Sequence, residues 1–207
     1  GALARVDFRN RQVKWWPDVV KHHSVLACAP VPETGELFCA TSSYGGTGST
    51  PIAEEGCVFL WDCEKEQITY VDHPEPGTTS YWGAVRGPNG LIYSTIDLRK
   101  YLVYDPVARE TVYIGDLPEG TVHFPRLCDG SLGPEGGIYT MVGDGIYRID
   151  PEDHGISLIG RHESIQDAHG FYVSEDGAVY FGSGAELWRC KLDIDTVKMR
   201  DAEGGMR

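Results

Sequence analysis

The chain has 207 residues, 41% hydrophobic and 24% charged, the make-up of a globular domain. Its 31 acidic residues outweigh 18 basic ones, for a net charge of −13. This balance argues against a nucleic-acid backbone or an anionic membrane as partner, because basic surfaces bind both.

No run reaches the ~18 apolar residues that span a bilayer. The opening Gly1-Ala2-Leu3-Ala4-Arg5 lacks both the apolar stretch of an export signal and an initiator Met, so the compartment stays open. The expectation is a processed chain or one piece of a longer protein.

The first predicted element is Leu3-Ala4-Arg5-Val6-Asp7, an apolar strand ending in Asp. A polar turn separates it from Gln12-Val13-Lys14-Trp15-Trp16. Next come the strand Ser24-Val25-Leu26-Ala27, the turn Pro32-Glu33-Thr34-Gly35, and the strand Glu36-Leu37-Phe38. Cys28 and Cys39 flank that turn, and in a hairpin centred there they face each other across two strands. A disulfide and a pair of buried thiols both fit, and none of the six cysteines has zinc-ligand spacing.

The loop Ser42-Ser43-Tyr44-Gly45-Gly46-Thr47-Gly48-Ser49-Thr50-Pro51 follows. No Lys follows its glycines, so it is read as a loop over a ligand site and not as a phosphate loop. Beyond it the pattern repeats. Phe59-Leu60-Trp61-Asp62 leads to Gln67-Ile68-Thr69-Tyr70-Val71, and Leu102-Val103-Tyr104-Asp105 to Thr111-Val112-Tyr113-Ile114. Ile146-Tyr147-Arg148-Ile149-Asp150 leads to Ile156-Ser157-Leu158-Ile159. The strand Leu187 to Asp193 leads to Thr196-Val197-Lys198-Met199. Between these hairpins lie Gly-led apolar strands beginning at Gly90, Gly137 and Gly177.

The five terminal Asp residues recur at intervals of 55, 43, 45 and 43. Alternating apolar and polar residues rich in β-branched and aromatic types suit half-buried strands, and an Asp at a turn accepts bonds from N–H groups two residues on. Four strands per unit at this spacing, with no helical segment, predict an all-β fold. The specific prediction is a β-propeller of four-stranded antiparallel blades, about four and a half of them in this chain. Residues 1–207 would form a single propeller domain or the C-terminal portion of one. A ring of roughly six to eight blades would then be completed by a second chain or another segment.

Strands ending in Tyr or Trp near Asp, with Asp-Gly-x-apolar-Tyr before them, mark a resemblance. Asp176-Gly177-Ala178-Val179-Tyr180, Gly136-Gly137-Ile138-Tyr139 and Tyr104-Asp105-Pro106 resemble the repeats of bacterial gluconolactonase, streptogramin-lyase and polysaccharide-lyase propellers. The resemblance implies the fold and leaves the subfamily open.

Propellers bind ligands at the mouth of the central channel. The segments entering each innermost strand carry His23, Tyr81 and Trp82, His123 and Arg126, and His169, while Tyr44 and Arg86 lie nearby. An aromatic beside cations suits a sugar or an organic anion, with Arg gripping a carboxylate. Trp82, Arg126, Tyr44, His23 and Arg86 are therefore the candidate ligand contacts. His169, His123 and Tyr81 are the candidate acid–base groups, as lyase chemistry requires. The alternative is that these side chains line a channel and satisfy backbone groups.

A divalent metal on His22, His23, His123 and His169, with Asp167 or Asp97, is conceivable but unfavoured for want of compact spacing. The sequence has no nucleophile elbow and no HExxH motif. The functional expectation is a propeller that binds a carbohydrate or small organic acid, as a lyase or hydrolase. The alternative is a non-catalytic glycan- or protein-binding module.

Overall fold

The structure, a computed structural model, describes residues 1–44, 50–123 and 127–192. Its strands form consecutive antiparallel meanders. β1 (Leu3–Asp7) pairs with β2 (Gln12–Trp16). β3 (Ser24–Val31), β4 (Glu36–Ser42), β5 (Val58–Asp62) and β6 (Gln67–Asp72) form a four-stranded sheet in that order. So do β7 (Tyr81–Arg86), β8 (Ile92–Ile96), β9 (Lys100–Asp105) and β10 (Glu110–Asp116). β11 (Ile138–Val142), β12 (Gly145–Ile149) and β13 (Ile156–Arg161) make a three-stranded sheet, as do β14 (Ala168–Val173), β15 (Ala178–Ser183) and β16 (Glu186–Lys191).

The Asp-terminated hairpins share one turn. Oδ1 of Asp7, Asp62 and Asp105 accepts backbone N–H bonds from the residues two and three positions on, at 2.8–3.1 Å. Asp150 Oδ1 accepts from Glu152 N at 2.7 Å. The residue four after each Asp is left-handed: Arg11, Glu66, Arg109 and His154 have φ of 54°, 55°, 62° and 63°. In three of these turns its N–H returns to the Asp carbonyl, at 2.8, 2.8 and 3.0 Å. The carboxylate thus fixes a turn that four non-glycine residues would otherwise disfavour.

Hydrogen bonds from the Lys65 side chain and backbone, together with the Glu64 N–H, hold the Asp62 carboxyl below its ordinary range. A depressed carboxyl stabilises the fold above its unfolded pKa and loses that contribution as pH falls through the folded value. Thermal unfolding between pH 6 and 2 is expected to show a drop in Tm beginning near pH ~4. The drop should be shallower in Asp62→Asn.

The contacts divide the chain into two compact units. The first is Gly1–Arg86 with Gly90–Asp116, and the second is Gly87–Asn89 with Leu117–Arg207. In the first unit the β3–β6 sheet is buried on both faces, as a blade must be. Phe38, Ala40, Val58 and Leu60 pack against Tyr81, Ile92, Leu102 and Tyr104 of the β7–β10 sheet. The alternate residues Cys39, Phe59 and Trp61 pack with Leu3 and Trp16 of the β1–β2 hairpin. This period of two is the pleat, and burial on both sides explains why β5 is apolar at every position before its Asp. The Tyr104 hydroxyl reaches Asp72 Oδ2 across the sheets at 3.1 Å.

In the second unit, Tyr139, Met141 and Ile146 pack against Ala168, Phe171, Val179 and Phe181 of the β14–β16 sheet. Here the structure departs from the predicted four-strand repeat. Among the described residues no innermost strand precedes β11. Only the single bridges Val122↔Val142 and Leu132↔Ile138 stand there, with a 3-10 turn at Asp129–Ser131 between them. That turn lies close on β14: a Cβ at Gly130 would come 2.9 Å from Phe171 O, which only glycine avoids. The predicted outer strand Thr196–Met199 lies outside the described residues.

Candidate functional site

The innermost strands repeat one register. The last residue of each second strand, Ser42, Ile96, Val142 and Ser183, faces Ser24, Tyr81, Val122 and Ala168 respectively. The next residue along is Val25, Trp82, His123 or His169. Val25 pairs with Thr41, Trp82 with Thr95 and His169 with Gly182, while His123 N bonds Met141 O at 3.1 Å. In the three described inner strands a β-bulge follows at once, and in two it contains a left-handed glycine, Gly83 (φ 77°) or Gly170 (φ 66°). Bulges re-aim side chains beside functional sites. Trp82, His123 and His169 therefore hold equivalent places in three blades.

In the first unit, Trp82 is half-buried and its indole Nε1 donates to Ser80 Oγ at 2.8 Å. Ser80 Oγ in turn donates to Asp97 Oδ1 at 2.9 Å. The same carboxylate accepts from Ser80 N, Thr79 N and Thr79 Oγ1. Asp97 and Leu98 are themselves left-handed, with φ of 46° and 56°. The β8–β9 turn thus aims its carboxylate at the entry of β7 and orients the indole through one hydroxyl. Asp97→Ala is expected to cost about 2–4 kcal/mol by denaturant titration, because buried N–H and O–H donors lose a charged acceptor. Asp97 is thereby committed to protein donors.

Tyr81 points the other way. It is fully buried, and its hydroxyl accepts from Glu75 N at 3.1 Å. Burial pushes its phenol up to about 12. It is a core residue, which removes it from the expected acid–base set. Arg86 ends β7 opposite Trp82 and pairs with Glu33 of the β3–β4 turn, so it is an outer brace and not a ligand contact. Four residues of strand, roughly 13 Å, separate it from Trp82.

Tyr44 reaches the start of β3 through Ser24, whose Oγ donates to Tyr44 O at 3.0 Å, and Tyr44 is 55% exposed. His23 has both ring nitrogens 2.8 Å from carbonyls, Nδ1 from Lys21 O and Nε2 from Glu55 O. A neutral ring donates to one of the two, and this contact anchors the loop. A hollow of about 220 Å³ borders His22, His23, Ser24, Ser43, Thr50 and Ile52. That is below the ~300 Å³ at which small-ligand pockets begin.

In the second unit, His123 is buried, with Nε2 at 2.7 Å from Gly143 O. Nε2 is the donor there, so the neutral ring keeps its lone pair on Nδ1. His169 is exposed, and its ring has no hydrogen-bond partner among the described residues. Arg126 lies outside the described residues, as do 45–49 of the Ser42–Pro51 loop. No group of three or more His, Cys, Asp or Glu stands ready for a metal among the described residues.

The bulge, its left-handed glycines and the Asp97 acceptor were not read from the sequence. The Gly83 and Gly170 positions, one residue after the aromatic or imidazole, were the available signal.

No family model matches the chain, and no curated protein matches it in sequence. Solved structures match in fold. Virginiamycin B lyase from Staphylococcus aureus, in a catalytically inactive His-to-Ala form with quinupristin, has a TM-score of 0.64 at 15% identity, over 93% of this chain and 63% of that one. The WD40 β-propeller domain of Doa1 gives 0.57 at 14%, over 80% and 50%. A putative gluconolactonase gives 0.55 at 19%, over 80% and 57%. The chain is all-β and has the β-propeller fold, with four-stranded antiparallel blades resembling those of these three groups. It spans 63% of the length of the lyase.

Proposed function

We propose that this propeller binds a carbohydrate or small organic acid where its innermost strands begin, and that His169 and His123 move protons there in a lyase-type elimination. The observation that carries the reading is the shared register of two imidazoles of the second unit, His123 and His169, a register that Trp82 repeats in the first unit. Trp82 offers an oriented ring for the C–H face of a sugar. His169, exposed, is the group suited to take a proton from carbon beside a carboxylate. His123, tied through Nε2, offers Nδ1. The loss of activity in a His-to-Ala lyase of the same fold supports an imidazole in this role, at the level of analogy.

The second reading, a non-catalytic glycan- or protein-binding module, is favoured by one observation. Among the described residues no hydrogen bond joins His169 or His123 to a Tyr or Arg, and Tyr81 is in the core.

The test uses the whole chain with three probes: a polyuronate, an aldonolactone and quinupristin. Product formation and calorimetric affinity are measured for wild type and Trp82→Ala. Turnover of one probe, with affinity about tenfold weaker in Trp82→Ala, is expected. Binding without turnover supports the module. Binding of none of the three, or an unchanged affinity in Trp82→Ala, overturns the proposal.

A further inference from the structure

Cys28 on β3 and Cys39 on β4 are register partners in the first four-stranded sheet. Their Sγ atoms lie 3.4 Å apart, and both are free thiols. Directly opposed residues of an antiparallel pair have Cα atoms about 4.5 or 5.5 Å apart, and both values fall within the roughly 4.4–6.8 Å that a disulfide spans. Closing the bond needs the sulfurs to approach by a little over an ångström, within reach of a χ1 adjustment without a strand shift. We propose that Cys28 and Cys39 are a reversible dithiol–disulfide site, oxidised by a low-molecular-weight disulfide, which locks the two innermost strands of this blade together.

The two thiols differ in the way exchange chemistry requires. Cys28 is exposed, while Cys39 is fully buried in the cluster with Phe59 and Trp61. The hydrogen bond from the Cys39 thiol lowers the pKa of Cys28, and the same bond together with burial raises that of Cys39. Cys28 is therefore the attacking thiolate. It displaces one thiolate from the oxidant and becomes a mixed disulfide. The Cys39 thiol then loses its proton and attacks the Cys28 sulfur, expelling the second thiolate. The balance is two protein thiols oxidised to one disulfide while the oxidant is reduced to two thiols.

Cys63 packs against the same cluster and is the competing partner, since it acts electrostatically on Cys39 and Cys28 acts on it. The register contact favours Cys39, because Cys63 starts the β5–β6 turn and is held by its N–H to Gly35 O. The site concerns the rigidity of β3 and is independent of what the propeller binds.

The test exposes the folded chain to glutathione buffers of increasing oxidised fraction, then maps disulfides by mass spectrometry under non-reducing conditions. The expected result is loss of two hydrogens, one Cys28–Cys39 cross-link, full reversal by dithiothreitol and a raised Tm in the oxidised form. In the reduced protein, alkylation of Cys28 should outpace that of Cys39 by about tenfold or more. Cys39→Ser is expected to halt at glutathionylated Cys28, and Cys28→Ser to leave Cys39 unreacted. A Cys28–Cys63 link, wild type halted at the mixed disulfide, or no reaction of the folded chain would each overturn the proposal. The mapping on wild type alone is decisive if a variant fails to fold.

Discussion

His169→Ala is expected to lower turnover of the responsive probe by about 10²–10⁴-fold, the usual contribution of a positioned acid–base group. Affinity should change by less than about threefold, because in the proposed role the ring acts on the reacting proton and not on the bound body of the ligand. Steady-state kinetics beside calorimetry separates the two. An affinity loss equal to the rate loss would make His169 a binding residue. An unchanged rate would remove it from the chemistry. His169 stands at the second place of β14, directly before the bulge at Gly170, and is exposed. No neighbour among the described residues competes for its nitrogens. His123→Ala should have a mixed effect, because its Nε2 bond to Gly143 also fixes the β11–β12 turn.

Leu60→Ala should destabilise the first unit by about 2–5 kcal/mol in urea or guanidinium titration. Leu60 is 1% exposed and lies between the two four-stranded sheets, in one cluster with Phe38, Tyr81, Leu102 and Tyr104. Rigid rings surround it, so the cavity cannot close by small side-chain shifts, and the upper part of that range applies. Val71→Ala is a useful control. Val71 is 44% exposed on the outermost strand of the same sheet, and its replacement should cost well under 1 kcal/mol. Equal losses at both positions would mean that the two sheets do not share a core.

These two residues also mark what the sequence discloses and what it hides. Leu60 belongs to a motif, the apolar strand ending in Asp, whose physical causes are all local. Alternation, the Asp-capped turn and the recurring interval each follow from neighbours in the chain. All five appear as strands, with β12 ending at Ile149 and β16 at Lys191 and Asp193 outside the described residues, and the turn chemistry of Asp7, Asp62 and Asp105 is the expected one. The inner strand before β11, absent among the described residues, is a different matter: its sequence reads like the other entries, but Gly130 is spent on a close approach to β14.

Site residues were legible only where register carries them. Trp82 and His169 align by counting from the Gly turns, and the structure keeps them at equivalent places. Tyr81 and Arg86 share a strand with Trp82, and only the pleat and the strand length tell them apart. A one-residue step turns Tyr81 into the core, and four residues take Arg86 to the other end. The surroundings of His23 were hidden for another reason. Its two carbonyl partners come from Lys21 and from Glu55, 32 residues away, a contact no local pattern announces.

The most direct test of the central claim is one NMR titration of the whole chain with trigalacturonate, following the ring C–H signals of His123 and His169. If the two inner-strand imidazoles of the second unit serve one ligand, both signals move together and fit a single Kd. Movement of one signal alone, two unrelated Kd values, or no movement while the sugar binds elsewhere would contradict the proposal.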